Sequence, residues 1–308
     1  DAQIEEDAEM VQSILHDLCL PSLVSKRPVW DTFPGAWYTK AADVVMPNGR
    51  TLQVATYHHY KDQWASAFDL NYEDADGTTK PCHQTTFGMS ERLLGAVVGM
   101  HGDDNGLVMP PAVAPIQIVI MPIAQHVDPN VMIAVHELQQ NLANSGFRVH
   151  LDDRDLRPGT KHFDWEIKGV PLRVEIGPRD LDSGTCVVSS RTGGKQDIEL
   201  DAFCGVAQSM LDDIASLLRS KAHSNAEDLI HPFPGFISEG DTLNLMGPIV
   251  DGRIYELAFD GSDSDAEVLE KSTGLTLLGD SDTPYPEPVP CVVTGNPTTR
   301  KQHIARMY

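Results

Sequence analysis

The feature that most constrains the fold is an alternation of short apolar runs with helix-like segments between Ile116 and Ala222. The apolar run Ile116–Ile123 predicts a buried strand, and the helical spacing that follows predicts a helix at Pro129–Ser145. Further strands are predicted at Arg148–Leu151, Leu172–Ile176 and Cys186–Ser190, and further helices at Lys161–Lys168 and Glu199–Ala222. Because strands that alternate with helices form one covered sheet, this part predicts an α/β layer domain with a largely parallel sheet.

The part before this alternation combines helices with several strands. Apolar residues recur at helical spacing over Ile4–Leu20, and Pro21 is a suitable stop. The dipeptide Asn48-Gly49 between two apolar runs predicts a β-hairpin with a type I′ turn. Two more strands are predicted at Ala65–Tyr72 and Cys82–Thr86, and a buried helix at Ser90–Met100. The Pro-rich passage Met109–Pro115 is the predicted domain boundary, and a small loop-rich unit is expected after about Ala226.

Composition excludes several classes of protein. With 308 residues, 41% hydrophobic and 22% charged, the chain is expected to form about two globular domains rather than a disordered or fibrous protein. No apolar run approaches the ~18 residues of a membrane helix, so no membrane partner is expected. Five scattered cysteines without a C-x-x-C pair favour reduced thiols and a cytoplasmic location.

The net charge of −22 is unusual for a globular chain. It comes from 45 Asp and Glu residues against 23 Lys and Arg residues. Such a surface repels itself, and strong salt screens that repulsion because the Debye length falls to about 3 Å at 1 M. Two interpretations stay open, a protein adapted to a salt-rich cytoplasm and an ordinary acidic protein.

Two stretches in the first part could carry chemistry. Over Gly88–Arg92 a strand, a glycine and a helix start follow one another, and Arg92 with the helix N-terminus would suit phosphate oxygens. The alternative is a capped helix with a surface arginine. His58 and His59 lie where a predicted strand ends, at a place where pockets often form. The alternative is a packed or surface pair, and a metal site would need further ligands.

The remaining stretches with chemical potential lie later in the chain. Residues 148–195 carry nine Lys or Arg and eight Asp or Glu, which is nearly neutral within so acidic a chain. This balance favours either a surface that faces a polyanion or a solvated face of salt bridges. Near the C-terminal end, Cys291 begins a stretch with the outline of a zinc knuckle. One thiol cannot build a tetrahedral site, so zinc is not expected.

Together these stretches resemble the archaeal and eukaryotic type of prolyl-tRNA synthetase, a class II aminoacyl-tRNA synthetase. The sharpest are HGDDNGLVMPP over His101–Pro111 and WEIKGVPLRVEIGPRD over Trp165–Asp180, and Gly88–Arg92 resembles class II motif 3. The resemblance implies an α+β and α/β protein in three parts. These are the C-terminal part of a class II catalytic domain with a partial antiparallel sheet (1–112), an α/β anticodon-binding domain (113–222) and a small α+β C-terminal domain (223–308).

The resemblance also implies an activity, the ATP-dependent ligation of L-proline to its tRNA through prolyl-adenylate. The residues it assigns to ATP are Gln53, Thr56, Ser90 and Arg92, with Mg²⁺ near Gln53 and Arg92 as the catalytic residue. His58 would contact the bound proline. Glu166, Arg173 and Arg179 would read the guanines of the anticodon. The implied partners are proline tRNA, L-proline and ATP, and the full-length enzyme would be a homodimer.

The chain departs from the family pattern in three respects. Ala55–Asp62 reads ATYHHYKD where the family usually has GTSHHLGQ, which brings Tyr57, Lys61 and Asp62 near the expected pocket. The zinc cysteines of many relatives are reduced to Cys291. Motifs 1 and 2 are expected before Asp1, so the chain is interpreted as a C-terminal portion of the enzyme that is inactive in isolation. The alternative is a non-catalytic tRNA-binding paralogue or remnant that keeps the anticodon-binding domain.

Overall fold

The computed structural model describes residues 2–239 and 242–308. Its helices are α1 (Ala2–Asp17), α2 (Gln63–Ala67), α3 (Arg92–His101), α4 (Asn130–Asn144), α5 (Pro158–Ile167), α6 (Pro178–Ser183), α7 (Leu200–Leu229) and α8 (Asp263–Thr273), with a 3-10 turn at Val29–Asp31. Its strands are β1 (Ser22–Lys26), β2 (Tyr38–Val45), β3 (Arg50–Lys61), β4 (Asn71–Glu73), β5 (Thr79–Pro81), β6 (Gln84–Met89), β7 (Ile118–Pro122), β8 (Val149–Leu151), β9 (Leu172–Ile176), β10 (Thr185–Ser190), β11 (Lys195–Glu199), β12 (Ile230–Pro232), β13 (Phe236–Glu239), β14 (Thr242–Leu245), β15 (Ile254–Ala258), β16 (Thr276–Ser281), β17 (Val289–Pro290), β18 (Pro297–Thr298) and β19 (Lys301–Met307).

The chain folds into two compact units. The first comprises Asp1–Leu15, Leu20–Ala96 and His223–Tyr308, and the second comprises His16–Cys19 and Val97–Ala222. Residues 223–308 therefore lie in the same unit as the residues before α3. The three-domain plan with boundaries at 112 and 222 stays a prediction.

The first unit is built on an eight-stranded sheet with the order β12-β15-β19-β16-β1-β2-β3-β6. The pairs β1–β2, β2–β3 and β3–β6 are antiparallel, as expected for the partial catalytic sheet. β19 pairs with both β16 and β3, so that β1, β2, β3, β16 and β19 form a closed ring of pairings. Helix α1 lies against this unit through its buried stripe of Ile4, Val11 and Leu15, as the helical spacing predicts.

The hairpin between β2 and β3 is confirmed, but its predicted turn type is wrong. Gly49 has a φ of 74°, whereas Asn48 is not among the residues with positive φ that a type I′ turn requires. Gly49 N–H donates to the Met46 carbonyl at 2.9 Å, which closes a turn that contains Pro47. Pro47 has a negative φ at the first central position, and Asn48 at the second lacks the positive φ of a type II turn, so the turn is of type I followed by a left-handed glycine.

The predicted strand at Ala65–Tyr72 is wrong. Its first residues belong to α2, and only its last residues join β4. Trp64 and Phe68 are four residues apart at α2, and their rings stack with centroids 6.0 Å apart, as helical spacing allows. The period of apolar residues is ambiguous over so short a stretch, and tertiary contacts decide it.

The second unit is an α/β layer around a five-stranded sheet with the order β11-β10-β9-β7-β8. β7 pairs in parallel with β8 and β9, whereas β10 and β11 are added antiparallel. The expected largely parallel sheet is thus a mixed one, because the short connections after β9 and β10 only permit antiparallel neighbours. The strand β11 was not predicted.

Both faces of β7 are buried, which explains its continuous apolar run. Ile118 and Ile120 pack on the main core with residues of α4 and α7, including Val135 and Leu211. Val119 and Met121 face the other way and pack against Trp165 of α5. No helix among residues 2–239 and 242–308 is long and apolar enough to cross a membrane.

Candidate functional site

A β-bulge in β3 brings two of the predicted ATP ligands onto one face. Ala55 and Gln53 pair with two consecutive residues of β2. Val54, which lies between them, is therefore an extra residue in β3. An extra residue reverses the alternation of side chains along a strand. Gln53 and Thr56 therefore lie on the same face, although residues three apart in a regular strand lie on opposite faces.

Gln53 and Thr56 line a cleft of about 330 Å³ together with Ser90 and Arg92. Arg92 Nη1 donates to the backbone oxygen of Gln53 at 3.4 Å, and Ser90 Oγ accepts from the Arg92 backbone N–H at 3.4 Å. A Cβ added at Gly88 in the same cleft would meet no atom within 4 Å, so a flat ring could approach the backbone there. A guanidinium, an amide, two hydroxyls and the Glu91 carboxylate thus line one hollow, in which the guanidinium suits the phosphate oxygens of a nucleotide.

His58 lies beside this cleft, and it is not among the described residues that line it. It is two residues beyond Thr56 on the same face of β3, a separation of about 7 Å along a strand. Its Nδ1 is 2.9 Å from Thr39 Oγ1, and its ring centroid is 4.8 Å from that of Phe33. Burial lowers the pKa of His58, so the imidazole is neutral at pH 7.

Three of the departures from the family pattern, Tyr57, Lys61 and Asp62, lie outside the cleft, whereas Ala55, in place of the usual glycine, lines it. Tyr57 is fully buried, and it follows Thr56 on the opposite face of β3. Lys61 Nζ lies 3.3 Å from the centroid of the Trp37 ring, a cation–π contact. Asp62 is the residue that precedes α2. The altered sequence therefore changes what surrounds β3 more than what lines the cleft.

A larger cavity of about 820 Å³ was not predicted from the sequence. Phe33, Tyr60, Trp64 and Phe68 provide its aromatic wall, and His83 is among its polar residues. A signal was available, because aromatic residues four apart at Trp64 and Phe68 share one side of a helix. The predicted strand over Ala65–Tyr72 concealed it.

In the second unit, two of the predicted anticodon residues share one cavity of about 440 Å³. Glu166 lies on α5, and Arg173 lies on β9. Trp165 anchors α5 to the sheet, because its indole is buried and its Nε1 donates to Asp152 Oδ2 at 2.7 Å. Arg173 Nε donates to Glu175 Oε1 at 3.0 Å, which fixes the plane of the guanidinium.

Arg179 is not brought into this cavity. It is exposed in the first turn of α6, beyond the C-terminal end of β9, whereas Arg173 is near the start of that strand. Four residues of strand span about 13 Å, so the two arginines lie at different places on the second unit.

Several Lys and Arg side chains within residues 148–195 form ion pairs or hydrogen bonds with other groups of the chain. Arg154 contacts the carboxylates of Asp152 and Asp164, at 2.8 and 2.9 Å. Lys161 is buried and donates to the Asp152 carbonyl at 2.8 Å. Arg191 has a side chain only 5% exposed and is bound to Asp103. The interpretation as a salt-bridged face therefore holds for these residues. Arg179 and Lys195 have no ion pair within the described part of the chain, and Arg173 is paired with Glu175 through its Nε alone.

The stretch that begins at Cys291 is held by hydrogen bonds to Asp260 and within itself. The Cys291 thiol accepts from the backbone N–H groups of Asp260 and Thr294, each at 3.5 Å. Thr294 Oγ1 donates to Asp260 Oδ1 at 3.0 Å. Within the described part of the chain, no group of three or more His, Cys, Asp or Glu is placed to hold a metal ion. That the protein binds no zinc stays a prediction.

Comparisons with known proteins show which proteins this chain is similar to. Residues 117–210 match the family described as "Anticodon binding domain". The proline–tRNA ligase of Thermococcus kodakarensis is 42% identical over 289 residues, which are 92% of this chain and 58% of that protein. The proline–tRNA ligase of Methanoregula boonei is 40% identical over 301 residues, 96% of this chain and 61% of that protein. The chain thus spans about three-fifths of the length of these relatives.

The fold has a solved counterpart. The structure titled "Giardia lamblia Prolyl-tRNA synthetase in complex with prolyl-adenylate" has a TM-score of 0.89 and 29% identity, and the match covers all of this chain and 66% of that one. The mixed α+β architecture expected from the sequence is therefore confirmed. Over nearly its whole length, the chain is thus a homologue of prolyl-tRNA synthetases in both sequence and fold.

Proposed function

We propose that the protein containing this chain joins L-proline to its tRNA through prolyl-adenylate, with ATP as the source of the adenylate. The observation that carries the proposal is the convergence of Gln53, Thr56, Ser90 and Arg92 on one cleft beside His58. Relatives named proline–tRNA ligase at about 40% identity support it, as does the solved counterpart whose title names prolyl-adenylate.

In the first half-reaction the proline carboxylate attacks the α-phosphorus of ATP, and pyrophosphate leaves. Negative charge grows on the phosphate oxygens, and the guanidinium of Arg92 stabilises that charge from a fixed position. The Gln53 amide and the Thr56 and Ser90 hydroxyls hold the nucleotide by hydrogen bonds. Mg²⁺ enters as part of the nucleotide substrate, and the oxygen atoms of Gln53 and Thr56 belong to the ligand type that it prefers.

His58 would contact the bound proline from the next position along β3. Its Nδ1 is occupied by Thr39 Oγ1 at 2.9 Å, which holds the ring in one orientation. Because its pKa is lowered by burial, the ring stays neutral and does not repel the imino group of proline. The prolyl group then passes from the adenylate to the 3′ end of the tRNA.

The second unit would read the anticodon. The carboxylate of Glu166 can accept from the N1–H and N2–H groups of an unpaired guanine, and Arg173 can donate to O6. Arg179 lies elsewhere on the unit and would therefore contact a different base. The proposal includes a cytoplasmic location and a homodimeric full-length enzyme, both of which the family resemblance implies.

The test is proline-dependent exchange of pyrophosphate into ATP by the protein made from the complete reading frame that contains this chain. Arg92→Ala is expected to lower the exchange rate at least 100-fold, because a charged donor to the transition state is worth about 3 kcal/mol. Arg306→Ala, which removes a half-exposed arginine of β19 outside the cleft, is the control and should keep most of the activity. Exchange with another amino acid, or exchange that Arg92→Ala leaves unchanged, would refute the proposal. Proline tRNA binding without any exchange would point instead to the tRNA-binding paralogue.

A further inference from the structure

The cavity that contains Glu166 and Arg173 has a floor that spans three strands. Arg173 on β9 is directly opposite Ser189 on β10, and Ser189 is directly opposite Lys195 on β11. Opposite residues in antiparallel strands point to the same face with their Cβ atoms about 5 Å apart. Ser189 therefore lies at the centre of a row whose two ends are cationic, and all three residues line the cavity.

The hydroxyl of Ser189 is an unexplained polar group. The residue is only 9% exposed, and its Oγ has no hydrogen-bond partner among the residues that the structure describes. A buried hydroxyl without a partner destabilises a fold, so native proteins rarely keep one without a reason. Its neighbour Ser190 differs, because the Ser190 hydroxyl is 3.0 Å from Thr192 Oγ1.

The groups around Ser189 define the ligand that would satisfy it. The Glu166 carboxylate offers only acceptors, and no hydrogen bond or ion pair engages it within the described part of the chain. The Arg173 guanidinium offers donors, and Glu175 holds its Nε. A planar ligand with two adjacent N–H donors on one edge and acceptors on the next edge fits this arrangement. An unpaired guanine has both, with N1–H and N2–H beside O6 and N7.

We infer that Ser189 is a specificity residue of this cavity, whose hydroxyl donates to the O6 or N7 atom of an unpaired guanine held between Glu166 and Arg173. The inference rests on the proposed anticodon function and extends it to a residue that the family motifs did not bring out. Adenine has an amino group where guanine has O6. An adenine in the cavity therefore offers one hydrogen-bond acceptor fewer to the Ser189 hydroxyl and to Arg173. Ser189 thereby adds to the preference for guanine over adenine.

The test is the affinity of the full chain for an RNA stem-loop that carries the proline anticodon, compared with the same stem-loop after guanine-to-adenine changes. Ser189→Ala is expected to weaken binding to the guanine stem-loop about 5- to 10-fold, the effect of one neutral hydrogen bond. Binding to the adenine stem-loop should change less than about 2-fold. The thermal midpoint of the free variant should stay equal or rise, because an unpaired buried hydroxyl has been removed.

Two further variants separate recognition from folding. Ser189→Thr keeps a hydroxyl on a residue that strands favour, and it should keep the preference for guanine. Ser190→Ala removes a neighbouring hydroxyl that already has a protein partner, and it should leave the preference unchanged. Equal loss of affinity for both stem-loops in Ser189→Ala, or no loss at all, would overturn the inference. Failure of the unmodified chain to prefer guanine would instead overturn the proposed anticodon function itself.

Discussion

At the scale of single residues, a few arginines with several partners hold together segments of a strongly acidic chain. Arg27 and Asp43 form a buried pair in the first unit, in which Nη2 contacts both carboxylate oxygens at 2.9 and 2.8 Å. In the second unit, Arg191 donates to the Leu107 and Gly106 carbonyls as well as to Asp103. Such arginines order loops, because each guanidinium satisfies carbonyls that would otherwise face water or remain unpaired.

Asp103 allows this role to be tested by pH. Its hydrogen bonds to Arg191 are the main reason that its pKa falls from the ordinary value of 3.8 to about 2. Because the folded-state pKa is depressed, the contact stabilises the fold above pH 3.8, and this contribution is lost as the pH falls toward 2. Asp103→Asn should lower the free energy of unfolding at pH 7 by about 0.5–1 kcal/mol, a modest effect because the carboxylate is 45% exposed.

The measurement is urea unfolding of both proteins at pH 7 and at pH 3, where the difference between them should shrink. Asp104→Asn is the matched control, since no hydrogen bond or ion pair to its side chain occurs among residues 2–239 and 242–308. A loss that is equal at both pH values, or equal in the control, would contradict the assigned role.

At the scale of elements, irregularities in β3 decide which side chains meet. The extra residue Val54 changes the face of Gln53, and a second shift near Tyr60 occurs in the pairing with β6. The start of β3 is equally constrained. Gly49 in the turn before it has a φ of 74°, and a Cβ there would lie 1.8 Å from the Gly252 backbone oxygen. The hairpin turn thus packs against the backbone of a later loop of the same unit.

This contact predicts that alanine substitutions at two glycines with similar φ angles lower the free energy of unfolding by different amounts. Gly77 has a φ of 79° and open space around it, so Gly77→Ala should lower the free energy of unfolding by only about 1–2 kcal/mol. Gly49→Ala has the same backbone penalty and also forces two backbone segments apart, so the loss should exceed about 3 kcal/mol. Chemical denaturation of both variants compares the two losses. Equal losses would show that the turn does not pack against Gly252.

At the scale of the whole molecule, the two units differ in how the chain builds them. The core of the second unit is formed almost entirely by residues between 108 and 218. The sheet of the first unit instead joins β1 to β16 and β3 to β19, which come from opposite ends of the chain. The first unit therefore depends on contacts that are distant in sequence, whereas the second depends on local βα and αβ connections.

Separate fragments should reflect this difference. Residues 102–222 alone should unfold cooperatively, since they contain all five strands and nearly all of the core of the second unit. Residues 2–96 alone should be unfolded, because β16 and β19 are missing from their sheet, and addition of residues 223–308 should restore structure. Circular dichroism during heating measures both outcomes. A cooperative transition of 2–96 alone would show that the ring of pairings is not needed for folding.

Patterns local in sequence determined much of this protein. The apolar periods predicted β9 with its bounds of Leu172–Ile176 and a helix at Ser90–Met100, which corresponds to α3. These features depend on residues that are neighbours in the chain, so periodicity and cap chemistry are sufficient to reveal them.

Only the tertiary structure decided how distant parts combine. It placed Gln53 on the face of Thr56 through the bulge at Val54 and made a helix of part of Ala65–Tyr72. It also left the Ser189 hydroxyl, beside Arg173, without a hydrogen-bond partner among the residues described. It also inserted strands from residues 223–308 into the sheet of the first unit. Register, burial and hydrogen-bond partners are set by strands that meet across the fold, and a single strand's sequence does not contain that information.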